Sequence, residues 1–83
     1  MLDSRAPWPE FQARRPDVAV LGVGAVEQHG PHLPVGTDLL AVDALARRVA
    51  ERLDAWLLPP IPVSLSECHG PLGGTVWLKP ATL

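Results

Sequence analysis

Between Glu27 and Asp38 the chain reads Glu27-Gln28-His29-Gly30-Pro31-His32-Leu33-Pro34-Val35-Gly36-Thr37-Asp38, which sets carboxylates and imidazoles among Gly and Pro. Packing needs apolar groups and solubility needs scattered charge, so this set reads as a coordination shell or an acid–base site. In extended backbone, side chains two apart project to one side; Glu27 and His29 therefore address one locus while Gln28 turns elsewhere. Asp38 returns at the start of a predicted helix, and its two oxygens can bridge a pair of cations held by Glu27 and His29. A mixed carboxylate and imidazole set suits Zn²⁺ or Mn²⁺, and the lack of a cysteine pair argues against a structural zinc site. The plainer alternative makes Glu27 and His29 loop residues and Asp38 a helix cap. His32, beside prolines, is either a catalytic neighbour of the site or a structural hydrogen-bonder, and Glu67 and His69 leave the same choice open. Cys68 lies between two polar groups, but a nucleophilic thiol needs an activating environment, so it reads as inert.

These residues must be positioned by a few elements. Trp8 to Arg15 predicts one or two helical turns, with Pro9 where a missing N–H costs nothing and Pro16 ending the run. Val18 to Val26 is continuously apolar, the pattern of a central strand of a mostly parallel sheet covered on both faces, and Glu27 emerges at its C-terminal end. Gly22 and Gly24 in that run permit close approach of neighbouring backbone. Thr37 or Asp38 can cap a helix running to about Trp56. Its predicted apolar stripe is Val42, Leu45, Val49, Leu53 and Trp56, with Asp43, Arg47, Arg48, Glu51, Arg52 and Asp54 outside. Asp43 with Arg47 and Arg47 with Glu51 are i,i+4 pairs worth roughly 0.2–0.5 kcal/mol each. Pro59 and Pro60 are expected to stop the helix, Ile61 to Leu65 to form a second strand, and Thr75 to Leu78 a third. Lys79 to Leu83 reads as the approach to another helix. A strand–helix–strand unit of this kind brings the loop Ser66 to Gly74 near Glu27, on the side where open α/β sheets place ligands. The predicted class is α/β, a βαβ-type three-layer unit with a mostly parallel sheet.

Composition narrows the partners. At 83 residues the chain is at most one small domain, and a domain of that size buries only about 60% of its unfolded surface. The net charge of −2 comes without a basic stripe, which argues against nucleic acid. The longest apolar run is about half of what spans a bilayer, and Asp3 and Arg5 stand where a signal peptide would be apolar. No membrane and a cytoplasmic location are therefore expected. The single cysteine implies no internal disulfide.

The segment Gly24-Ala25-Val26-Glu27-Gln28-His29-Gly30-Pro31-His32-Leu33-Pro34, closed by Thr37-Asp38, resembles the signature of the creatininase (creatinine amidohydrolase) family. Trp8-Pro9-Glu10 upstream, and His69 followed by Gly74-Thr75-Val76 downstream, keep the family's order. The resemblance spans the chain and corresponds to the N-terminal portion of the family. It implies an α/β fold with a parallel sheet between helices, homo-oligomeric assembly, and a two-metal centre of Zn²⁺ and/or Mn²⁺. That centre would activate water to hydrolyse C–N bonds of cyclic or other non-standard amides in a small-molecule substrate. By position, Glu27 binds one metal, His29 the other, and Asp38 bridges them; His32 is the candidate catalytic residue. The chain departs from the family pattern at Cys68-His69, at Leu72-Gly73 and at Gly22. The family's further ligands, a His and often an acidic residue in an Asn-Gly-His type motif, have no counterpart before Leu83.

The resemblance thus implies that residues 1–83 are one partial domain of a metal-dependent amide hydrolase, with the remainder of the metal shell expected outside it. The competing class is a truncated, non-catalytic fragment or interaction module that retains part of the metal site; a third reading, cysteine hydrolase chemistry through Cys68 and His69, predicts sensitivity to thiol alkylation. One βαβ-like unit leaves sheet faces and an edge uncovered. The isolated chain is therefore expected to melt gradually or aggregate, and calorimetry showing a sharp cooperative transition of the monomer would contradict this.

Overall fold

The computed structural model describes residues 1–83. Its elements in chain order are β1 (Leu2–Asp3), α1 (Trp8–Arg14), β2 (Ala19–Val20), α2 (Thr37–Leu53) and β3 (Trp56–Leu57), followed by a short 3-10 turn over Glu67–His69. The strands form one sheet in the order β1-β3-β2, and both pairings are parallel. The expected strand–helix–strand unit is β2-α2-β3. β1 has no counterpart in the sequence reading, because two residues carry no periodicity; Leu2 is nevertheless buried, and its N–H donates to Ala55 O.

Successive strand residues face opposite ways. Leu57 therefore packs with Ala46 and Ala50 of α2, while Trp56 meets Phe11 of α1 edge-on at 5.1 Å between ring centroids. The two helices thus lie on opposite faces of the sheet, giving the three layers that the sequence predicted.

The helix runs only to Leu53. Asp54 takes the left-handed conformation at its C-cap and returns its N–H to Ala50 O and Glu51 O. Asp54 also accepts the Met1 ammonium and the Arg14 guanidinium, each at 2.7 Å. Trp56 accordingly belongs to β3. The buried face of α2 is also not the predicted stripe: Ala46 and Ala50 are buried, whereas Leu45 is 62% and Leu53 56% exposed, and Val49 is exposed too. Close approach of helix to sheet favours the small side chains, and the larger ones one position away are turned outward. Arg47 forms neither expected i,i+4 pair; its guanidinium instead lies 3.9 Å from Asp3 of β1. Thr37 and Asp38 do not cap the helix. Gly36 holds the N-cap position without a side-chain bond, and the Thr37 hydroxyl donates back to Pro34 O.

The second strand begins earlier than expected. Trp56 and Leu58 donate to Val18 O and Val20 O, and Ile61 donates to Gly22 O. Ala19 pairs with Trp56 and Val20 with Leu57, but Val23 pairs with Ile61 rather than with Pro60. One residue is taken up at Pro59-Pro60 because proline has no N–H to give the ladder. The proline pair therefore interrupts the strand rather than stopping the helix, and no strand spans Ile61 to Leu65. The Val18 to Val26 run is extended, but it lies at the edge of the sheet rather than at its centre. Its Val20, Gly22 and Gly24 positions face α2, while Leu21 and Val23 on the other face are exposed. Thr75 to Leu78 contributes only an antiparallel bridge from Val76 to Val26 and a bond from Leu78 N–H to Ser64 O. Lys79 O accepts from the N–H groups of Thr82 and Leu83, which closes a turn at this end of the described residues.

Gly24 sets the position of the helix start. A Cβ there would lie 2.8 Å from Leu39 Cα, a backbone atom that cannot swing aside, whereas a Cβ on Gly22 would meet Val42 and Ala46 at ordinary distances of 3.5 and 3.6 Å. Gly24→Ala is expected to cost about 1–3 kcal/mol, while Gly22→Ala is expected to change stability by less than about 1 kcal/mol. Denaturant melts of both variants check this, and equal costs would contradict it.

Candidate metal centre

All strands point the same way, so the ends of β2 and β3 and the start of α2 meet at the C-terminal edge of the sheet. Glu27 follows the last paired residue of the β2 segment, and its N–H donates to Val35 O at 2.9 Å. That bond closes the loop carrying His29 and His32 and returns the chain to α2. Asp38 lies in the first helical turn, one residue before the Leu39 that rests on Gly24. Glu27, His29 and Asp38 consequently offer one ligand atom each, all within 4.8 Å of one another. His29 Nε2 stands 3.4 Å from Asp38 Oδ1, and His29 Nδ1 is buried with no hydrogen-bond partner. The predicted trio is thus brought together. His32 is exposed on the same loop, its ring against Gly30, and forms no ion pair or hydrogen bond with the trio.

The loop Ser66 to Gly74 reaches the same locus, as expected. Ser66 is 1% exposed, and its hydroxyl is the largest influence lowering the Glu27 carboxyl pKa; burial opposes it, and Asp38, His69 and His29 lower it further. Ser66 Oγ is buried and has no hydrogen-bond partner in full geometry. His69 Nε2 lies 3.9 Å from Glu27 Oε2, and its Nδ1 is 2.8 Å from Gln28 Nε2. Gln28 also donates its backbone N–H to Thr75 Oγ1 at 3.0 Å and accepts from Gly30 N–H at 3.0 Å. Cys68 is exposed and makes no bond to His69, so the cysteine hydrolase reading has no geometric support. Ser66 and Thr75 were not legible as site residues, since a lone hydroxyl in a loop carries no spacing signal. Gln28 was legible only as part of the Glu27 to His29 run.

The parallel α/β sheet thus carries at its C-terminal edge a carboxylate–imidazole–carboxylate cluster, a donor set that could hold a divalent cation. The family is more specific. The profile of the creatininase family, described as creatinine amidohydrolase, matches residues 4–83, and the chain belongs to that family. Creatinine amidohydrolase of Pseudomonas putida is 44% identical over 55 residues, covering 63% of this chain and 21% of the relative. The mycofactocin precursor peptide peptidase of Mycolicibacterium smegmatis is 38% identical over 72 residues, covering 80% of this chain and 29% of the relative. A crystal structure of creatinine amidohydrolase superposes with a TM-score of 0.85 at 34% identity, over 98% of this chain and 35% of the other. Zinc–zinc and manganese forms of creatininase superpose with TM-scores of 0.84 and 0.85. The chain therefore spans between about a fifth and a third of the length of these relatives.

Because the Glu27 pKa is lowered on folding, its ionised form stabilises the fold above the ordinary carboxylate range, and that contribution is lost as pH falls through the lowered value. Carbon-13 NMR of the Glu27 carboxyl is expected to give a midpoint below that of a model Glu, and Ser66→Ala is expected to raise it. A midpoint unchanged by Ser66→Ala would show that the hydroxyl has no part in it.

Proposed function

We propose that residues 1–83 form the N-terminal part of a creatininase-type amidohydrolase that cleaves C–N bonds of cyclic or other non-standard amides at a two-metal centre. The observation that carries the reading is the Glu27, His29 and Asp38 cluster with ligand atoms within 4.8 Å. The donor set fits Zn²⁺ or Mn²⁺: two carboxylates supply negative charge, and the unpartnered, buried His29 Nδ1 shows an imidazole whose second nitrogen is not committed within the chain. Glu27, His29 and Asp38 would hold the metal. When bound, a metal pair lowers the pKa of a water and polarises the amide carbonyl.

The chain's own groups have separable tasks. Glu27, kept ionised by its surroundings, and Asp38 set the charge of the site, while the closed loop from Glu27 to Val35 fixes the spacing of His29. We assign His32, exposed on the loop that joins His29 to Asp38, as the candidate catalytic imidazole. The relatives act on creatinine in one case and on a precursor peptide in another, so the proposed substrate class is the amide itself. A homo-oligomer in the cytoplasm, without nucleic-acid or membrane partners, belongs to the same proposal; it draws on the exposed apolar side of α2, the net charge of −2, and the absence of any helix long and apolar enough to cross a membrane.

Calorimetric titration of the full chain with Mn²⁺ or Zn²⁺ is expected to show saturable binding in the micromolar range or tighter, abolished by Asp38→Ala. Hydrolysis of creatinine, other cyclic amides or a peptide amide by the loaded protein is expected to disappear with the same substitution. Weak, unsaturable binding would instead favour the non-catalytic fragment.

A further inference from the structure

His69 approaches the cluster without joining it, and the hydrogen bonds around Gln28 determine what it offers. The Gln28 Oε1 atom accepts the Gly30 N–H at 3.0 Å, which fixes the amide orientation: the flipped amide would set its NH₂ against another donor. The NH₂ group therefore faces His69 Nδ1 at 2.8 Å. An amide NH₂ only donates, so Nδ1 must accept, and the ring proton sits on Nε2. That nitrogen is the one 3.9 Å from Glu27 Oε2. His69 thus turns an N–H, not a lone pair, toward the Glu27 carboxylate, which distinguishes it from His29 with its uncommitted nitrogen.

We propose that His69 is a positioning residue for Glu27: the Gln28 amide locks it as the Nε2–H tautomer, and that donor is aimed at one carboxylate oxygen, which leaves the other for the metal. The proposal rests on the metal reading above. At 3.9 Å the bond is not yet closed, and a small carboxylate rotation or one bridging water completes it. Anchoring comes from both flanks, since the Gln28 backbone N–H is itself held by Thr75 Oγ1 and His69 ends the 3-10 turn that begins after the sealed Ser66. Hydrogen-bond partners of ligating carboxylates tune metal affinity by about 10–100-fold when removed.

The test combines nitrogen-15 NMR with Mn²⁺ titration of the full chain. In the unmodified protein at mildly alkaline pH, the His69 ring is expected to show a protonated Nε2 and a bare Nδ1; the opposite tautomer overturns the proposal without reference to any metal. His69→Ala is expected to weaken Mn²⁺ binding by about 10-fold or more, and His69→Gln, whose amide places a donor near the Nε2 position, to restore most of it. Gln28→Met, which removes the anchor without adding charge, is expected to leave a mixed tautomer and an intermediate affinity. If Glu27→Gln abolishes binding while His69→Ala leaves it unchanged, the positioning role is wrong and the metal site stands. If the unmodified chain binds no Mn²⁺, the metal reading fails and this inference fails with it.

Discussion

The backbone contact between Gly24 and Leu39 is the constraint on which the rest of the structure depends. Because nothing projects from Gly24, the first turn of α2 lies directly on the β2 segment, and a Cβ would sit 2.8 Å from Leu39 Cα. Asp38 is the residue immediately before that contact. Its carboxylate reaches His29 and Glu27 because the helix start is pressed against the strand that delivers them. The same closeness explains why Ala46 and Ala50, rather than leucines, form the buried face of the helix.

A second constraint comes from Pro59-Pro60. Without their N–H groups the parallel ladder cannot continue in register, and it resumes one residue later at Ile61. The segment beyond then leads to Ser66 and the 3-10 turn, which bring a buried hydroxyl and the His69 imidazole close to Glu27. The metal locus is thus framed by two loops, one closed by Glu27 N–H to Val35 O and one tied back through Val76 N–H to Val26 O. Gly74, with φ of 81°, lets the second loop pass against Val35 of the first.

Membership of the creatininase family fits this arrangement but does not choose a substrate. Relatives in the family include a creatinine amidohydrolase and a mycofactocin precursor peptide peptidase, so membership alone does not fix a substrate. In this chain the loop over the C-terminal edge of the sheet carries Cys68, Leu72 and Gly73.

The sequence by itself determined the residue types of the site, the strand–helix–strand order, the parallel class of the sheet and the end of the strand from which Glu27 emerges. These are local properties: an apolar run, a helical period, and Gly and Pro where the chain must turn. Val42, Leu45, Val49 and Leu53 satisfied the helical period, yet which side of α2 is buried depends on how closely the sheet can approach. The helix stop at Asp54, the β1 pairing of Leu2, the register slip at the prolines and the placing of Ser66, His69 and Thr75 around Glu27 were likewise decided by tertiary structure. Each depends on partners tens of residues away, to which no spacing within a short segment responds.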